Sequence, residues 1–507
     1  MRVRTHTGED RLASILKDAD CHEMGRMDFF PKLASNRSDA SFPKAGKFMV
    51  RIPRTLALFV CAFATLAGTI GCNLFNSNGN TGGNGGTGTP PNFSNTVVIG
   101  DSLSAGFENG SMLDSLEPNG WASLVATQAN FPLVLPLIAP PGAPAVLELE
   151  NLGPPPVIAQ ESGVTTGRDN PTVQPTNLSV PGQTLDQAIN LTPTPLLTDD
   201  EDVITELILG FPVGNDKSQM NEAIALNPTA IFVWIGNDDA LNGDEGGSAA
   251  AMTPLASFTS DFQQLLTTLH TQTKATLIVA NIPDVTAVPY LTPAATVIAQ
   301  VSAETGLPAT QVAADLGLED GDLVNATGLG EVESAVTAIQ QGQVPVPLTA
   351  SGFLTPAAIA GIQAAVNQYN TVIAQQVAAV GGVLVDVHTY DANLAQNGIT
   401  INNYQATYAF LGGLFGLDGL HPTNTGYALL ANLFIDAMNT NLKTSFPEVN
   451  VSAIAAADPF FGPNIKPVGS AVSIPLAAAR RADRIIRLQR RKGIHGSSSP
   501  LSGPQSR

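Results

Sequence analysis

The sequence predicts an α/β protein, a three-layer α/β/α sandwich with a mostly parallel central sheet. The first observation is a set of continuous apolar runs bounded by turn residues, at Thr96–Ile99, Ala230–Ile235, Ala275–Ala280 and Val383–Val387. Such runs are typical of parallel strands that are buried on both faces. The second observation is that helical patterns lie between these runs, and alternating strands and helices imply right-handed crossovers that cover both faces of one sheet.

Three segments carry the helical pattern most clearly. Apolar residues recur three and four positions apart in Phe258–His270, Ala358–Ala379 and Thr423–Asn439, and the last of these is predicted to close the domain. In such folds ligands bind beyond the carboxyl ends of the strands. Ser102 and Asn237 each follow a predicted strand, so we expect them at the same edge of the sheet.

Two long segments interrupt the alternation. Residues 132–175 are rich in proline, and residues 286–349 are rich in Ala and Val with short acidic turns. Both are too long for plain connections, which predicts inserts that form loops or lids beside the site. The apolar stretch Phe131–Ala139 fits either an acyl-binding wall or a buried strand.

Charge is distributed unevenly along the chain. Residues 55–479 contain 5 of the 24 Lys and Arg residues but 35 of the 43 Asp and Glu residues. Such an acidic body repels phosphate backbones, which argues against nucleic acid as a partner and favours neutral or cationic substrates. All three cysteines, Cys21, Cys61 and Cys72, precede this body, so it has no disulfide, catalytic thiol or Cys-based metal site. No metal or organic cofactor is expected.

The segment 49–72 has the layout of an export signal. Arg51 and Arg54 precede an apolar run from Leu56 to Ile70 that ends at Gly71-Cys72. Cys72 resembles the lipidated cysteine of bacterial lipoproteins, although Thr69 stands where those signals usually carry Leu. We therefore expect an exported protein of the cell envelope, lipid-anchored through Cys72. The alternatives are ordinary cleavage nearby, which gives a periplasmic or secreted protein, and an uncleaved signal that serves as the anchor.

The remaining parts of the chain follow from this signal. Residues 1–48 precede a signal that would be complete from Met49, which suggests a mis-assigned N-terminal extension. Residues 73–94 are rich in Gly and Asn and are expected to be a flexible linker to the α/β domain at 95–441. Residues 442–507 form a C-terminal extension with a basic tail, expected to be disordered, although an anionic membrane or the acidic body could also bind it.

Two motifs carry the chemistry. Gly100-Asp101-Ser102-Leu103-Ser104 follows the first predicted strand, and Asp418-Gly419-Leu420-His421-Pro422 lies more than 300 residues later. A serine becomes nucleophilic when a base removes its proton, and a neutral imidazole needs an acid to fix its tautomer. Ser102, His421 and Asp418 supply these three parts.

These motifs resemble the SGNH, or GDSL, hydrolase family, together with Asn177-Leu178-Ser179-Val180-Pro181-Gly182 and Gly236-Asn237-Asp238. The four blocks stand in the family's order across residues 96–440. The resemblance implies a flavodoxin-like fold, Ser102 as nucleophile, His421 as base and Asp418 as the orienting acid. It also implies an oxyanion hole formed by the backbone N–H groups of Ser102 and Gly182 and the side chain of Asn237, donors that would stabilise negative charge on the substrate's carbonyl oxygen.

Each block also has a structural interpretation. Asp101 and Ser102 could cap a helix, Gly182 could be a turn glycine, and Asn237 could begin an Asx turn or a helix. His270 ends a predicted helix, where a cation favours the dipole, and His388 follows a buried strand. The α/β-hydrolase motif G-x-S-x-G is absent, because Ser104 stands at its last position.

We therefore expect an exported serine esterase that hydrolyses carboxylic esters through an acyl-serine intermediate. Its substrate would be a fatty-acyl ester or an acetylated carbohydrate. The alternative is a non-catalytic, surface-anchored binding lipoprotein that retains the fold.

Overall fold

The computed structural model describes residues 91–153, 156–197, 200–465 and 474–487. The predicted extension at 1–48, the signal at 49–72 with Cys72, and residues 73–90 of the predicted linker lie outside these described residues. Among the described helices, none is both long and apolar enough to cross a membrane.

Eleven strands occur in the described residues, in chain order β1 to β11: Thr96–Gly100, Leu147–Asn151, Val157–Gln160, Ala230–Trp234, Thr276–Ala280, Thr292–Pro293, Leu323–Val324, Phe353–Leu354, Val383–Val385, Ile399–Ile401 and Tyr404–Ala406. The α-helices of the same residues are, in order α1 to α15, Ser102–Ala105, Trp121–Ala129, Leu185–Asn190, Asp200–Leu209, Gln219–Ala225, Asn237–Gly246, Leu255–Gln272, Ala294–Thr305, Ala309–Leu316, Ala326–Gln340, Pro356–Ala379, Val387–Asn397, Asn424–Leu442, Val451–Ala457 and Leu476–Arg487.

The central sheet consists of the four strands that the apolar runs predict. Its order is β1-β4-β5-β9, and all three pairings are parallel. Thr96 pairs with Ala230 and Gly100 with Trp234, so β1 and β4 end level with each other. Every residue of these two strands is buried, as expected for parallel strands covered on both faces.

Helices cover both faces of this sheet, which confirms the predicted three layers. Val97 and Ile99 of β1 point to a core that includes residues of α7 and α11. Val98, between them, points to the opposite core, where Trp121 of α2 stacks on Phe434 of α13 at 3.8 Å between ring centroids. Side chains alternate between faces because successive residues of a strand point in opposite directions.

Residues 176–180 extend the sheet beyond β1. The N–H of Val98 donates to the Thr176 carbonyl, and the N–H groups of Leu178 and Val180 donate to the carbonyls of Val98 and Gly100. This segment contains no continuous apolar run, so periodicity alone does not predict it as a strand.

The two predicted inserts contain regular structure. Residues 132–175 include the antiparallel pair β2-β3, and Leu137 and Ile138 are fixed by backbone hydrogen bonds of 2.8 and 2.7 Å to the buried Glu117 carboxylate. Residues 286–349 contain helices α8 to α10 and strands β6 and β7, which form a small antiparallel sheet with β8.

The C-terminal extension begins with helix α14 and returns to the body in α15. Ala478, Ala479 and Ala482 of α15 are fully buried in the core that includes residues of α7 and α11. The expectation of a disordered basic tail therefore does not hold for Leu476–Arg487, because small residues on one face let the helix pack closely. Residues 488–507 lie outside the described part of the chain.

Candidate active site

Ser102 lies immediately beyond the carboxyl end of β1. Asp101 caps the four-residue helix α1 by accepting a 3.1 Å hydrogen bond from the N–H of Leu103, and Ser102 is the first residue of that helix. The chain turns sharply at Gly100, where an added Cβ would lie 2.4 Å from Ser104 Oγ and 2.7 Å from the Trp234 carbonyl oxygen. Only glycine fits there, so the strand can pass directly into the turn that presents Ser102.

Asp418 and His421 form a hydrogen-bonded pair in the loop before α13. His421 Nδ1 lies 2.8 Å from Asp418 Oδ2, and both side chains are almost fully buried. The other carboxylate oxygen, Oδ1, accepts the N–H groups of Leu420 and His421 at 2.9 Å each. Burial alone would raise the pKa of Asp418, but the His421 ring and these donors outweigh burial and lower it. Asp418 is thus held as a carboxylate that orients the imidazole.

The second ring nitrogen of His421 differs from the first in having no hydrogen-bond partner among the described residues. His421 Nε2 is buried and accepts no hydrogen bond from any described residue, Ser102 included. His421 and Ser102 nevertheless line the same cavity, and the Phe107 ring packs on the imidazole at 4.6 Å between centroids. Hydrogen bonds between nucleophile and base are often long or poorly aligned without substrate, so the missing Ser102–His421 hydrogen bond is compatible with proton transfer between these residues.

Asn237 begins helix α6 just beyond the end of β4. Its Nδ2 donates a 2.8 Å hydrogen bond to Asp101 Oδ2, its Oδ1 is buried with no hydrogen-bond partner among the described residues, and the residue lines the cavity. Gly236, which precedes it, has a φ of +110°, and an added Cβ would lie 2.9 Å from the Phe258 ring. The amide has two N–H groups, so one remains to meet an oxygen in the cavity.

Gly182 occupies a different position from the other predicted site residues. It is buried, has a φ of +79° and follows the segment 176–180 that pairs with β1. It is at the same edge of the sheet as Ser102, but it does not line the cavity that Ser102, Asn237 and His421 share. The structure thus brings together Ser102, Asn237, Asp418 and His421, and leaves Gly182 at the side.

The cavity beside Ser102 has mostly apolar walls. Its lining includes Leu103, Leu241, Val285, Val288, Val387, Leu394, Leu414, Phe415, Leu429 and Leu430. Four polar side chains, Asp284, Tyr390, Asp391 and Tyr408, also line it, and the Tyr408 hydroxyl donates to the Asp391 carboxylate. Residues 131–139 do not line this cavity. They form no strand either, so the buried-strand interpretation is wrong, and the acyl-binding wall stays a prediction.

Buried carboxyl groups surround the start of α6. Burial raises the pKa of Asp101 to about 6 against the lowering effect of Asn237 and Leu103, and it raises the pKa of Asp239 to about 7. Burial, with the charges of Asp101 and Asp239, also raises the pKa of Asp238 well above its usual value. Burial therefore opposes the ionisation of all three carboxyl groups next to Ser102.

The two other histidines of the body lie outside the cavity lining. His270 is exposed in the last turn of α7, as predicted. The Nδ1 atom of His388 lies 3.0 Å from the Ile282 carbonyl oxygen, and its backbone N–H donates to Asn281 Oδ1. Neither has the contact to a carboxylate that His421 has with Asp418.

A comparison with known families matches residues 96–434 to the family of GDSL-like lipases and acylhydrolases. The chain belongs to this family. As a GDSL-like lipase/acylhydrolase it is a hydrolase of ester bonds, as the four sequence blocks predict. No curated protein matches the chain.

Two solved structures resemble this GDSL-like hydrolase. LAE5, an alpha/beta hydrolase from the metagenome of Lake Arreo, Spain, is 13% identical, with a TM-score of 0.31 and coverage of 69% of this chain and 97% of LAE5. Axe2, an acetylxylan esterase from Geobacillus stearothermophilus, is 11% identical, with a TM-score of 0.32 and coverage of 71% of this chain and 100% of Axe2.

Sequence reasoning missed two contacts in this GDSL-like hydrolase. It assigned Asp101 a structural role only, yet Asp101 also accepts the Asn237 amide. It also gave no role to Gly110, whose backbone N–H donates to Asp418 Oδ2 at 2.7 Å. The Asn109-Gly110 turn signal is visible in the sequence, but its partner lies 308 residues away, so only the fold reveals the contact.

Proposed function

We propose that this protein hydrolyses carboxylic esters through an acyl-serine intermediate, with Ser102 as nucleophile, His421 as general base and Asp418 as the orienting acid. The observation that carries the proposal is the orientation of His421. The Nδ1 atom of His421 is held by Asp418, and its Nε2 atom makes no hydrogen bond with a described residue. The His421 ring and Ser102 line the same cavity. This is the arrangement that a base needs to accept the serine proton.

The reaction would proceed in two halves. Ser102 Oγ attacks the ester carbonyl carbon as its proton passes to His421 Nε2, and the C=O electron pair moves to the oxygen. The C–O bond to the alcohol then breaks, and His421 returns the proton to the leaving oxygen. Water, activated by the same imidazole, attacks the acyl-serine and releases the acid and free Ser102.

The developing oxyanion would be stabilised by the Ser102 backbone N–H and the free N–H of Asn237. Gly182 is retained as the third predicted donor, and it lies in a buried, left-handed turn at the same edge of the sheet as Ser102. Fixed donors aimed at this oxygen give one of the largest contributions to ester hydrolysis.

The acyl group of the substrate would be longer than acetyl. Apolar side chains from four separated segments, within 283–288, 387–394, 408–415 and 420–430, line the cavity next to Ser102. Each methylene removed from water contributes about 0.8 kcal/mol, so such walls favour an aliphatic chain over an acetyl group on a polar sugar. An acetylated carbohydrate is the second candidate substrate.

A series of chromogenic esters from acetyl to long acyl chains tests both points. The full chain should show turnover that rises with chain length to an optimum, and Ser102→Ala should abolish it. Ser123→Ala, a change on α2 away from the cavity, is the matched control and should behave as the wild type. Absence of turnover on every ester, with no labelling of Ser102 by a fluorophosphonate, would support the non-catalytic binding lipoprotein instead.

We propose that the protein is exported and lipid-anchored through Cys72, on the support of the signal-like segment 49–72. Metabolic labelling with palmitate should mark the wild type and spare Cys72→Ser. Recovery of an unlabelled mature protein with peptides from residues 1–48 would contradict both the anchor and the start at Met49.

A further inference from the structure

A tight turn follows the nucleophile helix and reaches the loop that carries Asp418 and His421. Glu108 and Ser111 exchange both backbone hydrogen bonds at 3.1 Å, and the two residues between them, Asn109 and Gly110, have φ of +52° and +72°. Asn-Gly is the pair that such a turn favours, because both central residues must adopt a left-handed conformation. We refer to Glu108–Ser111 as the Asn-Gly turn.

The turn contacts the loop at two points. The Gly110 N–H donates to Asp418 Oδ2 at 2.7 Å, and Asn109 Oδ1 accepts the N–H of Leu417 at 2.8 Å. Asp418 Oδ2 is the same oxygen that lies 2.8 Å from His421 Nδ1. The Gly110 N–H therefore helps to set the direction in which this oxygen faces the imidazole.

The surrounding contacts leave little freedom for this arrangement. Asn109 is buried, and its Nδ2 donates to Glu108 Oε1 at 3.3 Å. At Gly416 an added Cβ would lie 2.8 Å from Asn109 Oδ1 and 3.2 Å from the Asn109 backbone nitrogen. Just before the turn, the Phe107 carbonyl accepts the Tyr427 hydroxyl at 2.6 Å, and the Phe107 ring covers His421.

We propose that the Asn-Gly turn is a positioning element for the catalytic triad, in which Asn109 ties the turn to the loop and Gly110 fixes the Asp418 carboxylate against His421. The inference rests on the proposed function of Ser102, Asp418 and His421. Its consequence is that the turn after Ser102 and the loop that carries Asp418 and His421 are held in register by two backbone–side-chain hydrogen bonds, each across 308 positions of sequence. Ser102 and His421 themselves share no direct hydrogen bond.

Asn109→Gly tests the proposal with the least disturbance to the backbone. Glycine adopts the left-handed conformation without strain, so the variant keeps the turn and removes the Asn109 side-chain contacts to Leu417 and Glu108. We expect kcat to fall about tenfold with KM unchanged, the order of one hydrogen bond near a charged group.

The matched control is Asn130→Gly. Asn130 has a φ of +53° at the end of α2 and is exposed, so the same substitution there should leave kcat and KM unchanged. If Asn109→Gly folds and matches the wild type in kcat, the proposal is overturned.

A second variant approaches the same contact from the loop. Gly416→Ala should push Asn109 away and lower kcat. Adding Asn109→Gly to this variant removes Asn109 Oδ1, the atom nearest to the new methyl group. The double variant should therefore be more active than Gly416→Ala alone. Equal activity of these two variants would contradict the contact as the cause and overturn the proposal.

A spectroscopic measurement separates this inference from the proposed function. The proton between His421 Nδ1 and Asp418 gives a downfield ¹H NMR resonance, assigned by its loss in His421→Gln. Asn109→Gly should shift it upfield and speed its exchange with water, whether or not the wild type turns over an ester. A wild type without Ser102-dependent turnover defeats the proposed function, and an unchanged resonance in Asn109→Gly defeats the positioning role.

Discussion

Asp101 Oδ2 accepts a 2.8 Å hydrogen bond from Asn237 Nδ2, across 136 positions of sequence. The contact joins the residue before the nucleophile to the first residue of α6. Because a carboxylate only accepts hydrogen bonds, it determines which end of the Asn237 amide faces it. Asp101 therefore orients a donor that we propose for the oxyanion hole, while its other oxygen caps α1.

Asp101→Asn should lower activity without lowering stability. Asparagine caps a helix as well as aspartate does. If the oxygen of the new Asn side chain accepts from the Leu103 N–H, its NH2 group faces the NH2 group of Asn237, which favours a flipped Asn237 amide. We expect kcat to fall by up to about a hundredfold. Steady-state kinetics and thermal melting measure the two effects, and a loss of kcat that merely follows a loss of folded protein would contradict this role.

Asn237→Ala should lower kcat by roughly a hundredfold, because one oxyanion donor contributes about 3 kcal/mol to the transition state. KM should change little, since the ground-state carbonyl needs this donor less than the oxyanion does. Combining it with Asp101→Asn should add almost nothing, because both changes remove the same donor. Additive losses in the double variant would show that Asp101 acts by another route.

Asp239→Asn should stabilise the protein above about pH 5. Burial raises the folded-state pKa of Asp239 from 3.8 to about 7. Ionisation of Asp239 therefore opposes folding increasingly as the pH rises from about 4 to 7. The contribution of Asp239 to the stability of the fold is favourable only below this pH range. Asparagine can keep both contacts, accepting from the Leu185 N–H and donating to Thr253 Oγ1, which now donate to the carboxylate at 2.8 and 2.6 Å.

The gain for Asp239→Asn should be on the order of 2–4 kcal/mol at pH 8 and should vanish near pH 4. Urea unfolding at several pH values measures it. A pH-independent difference between the two proteins would show that the Asp239 carboxyl does not titrate in this window.

Leu394→Trp should shorten the preferred acyl chain. Leu394 of α12 lines the cavity, and a larger side chain there fills space that a long chain would occupy. We expect kcat/KM for long-chain esters to fall about tenfold or more, because two or more methylenes of the acyl chain would no longer be buried. The kcat/KM for acetyl esters should stay near that of the wild type.

Ala392→Trp, on the same helix but exposed, is the control for Leu394→Trp and should leave the chain-length profile unchanged. Parallel losses for acetyl and long-chain esters in Leu394→Trp would argue that this wall does not hold the acyl group.

The sequence by itself determined the four central strands, their parallel arrangement and the residues of the family motifs. Continuous apolar runs are a local signal, and burial on both faces of a sheet requires such runs. Family membership follows from short blocks whose order along the chain is readable without a fold. Ser102, Asn237, Asp418 and His421 could accordingly be predicted as neighbours.

Only the tertiary structure decided how these residues are held. The Asn237 amide meets Asp101 and the Gly110 N–H meets Asp418 because distant segments pack together, and a backbone N–H leaves no side-chain signature in the sequence. The cavity walls likewise come from separated segments, so no single apolar stretch of the sequence indicates them. Gly182 shows the same limit, since its motif places it at the correct edge of the sheet while packing keeps it out of the cavity lining.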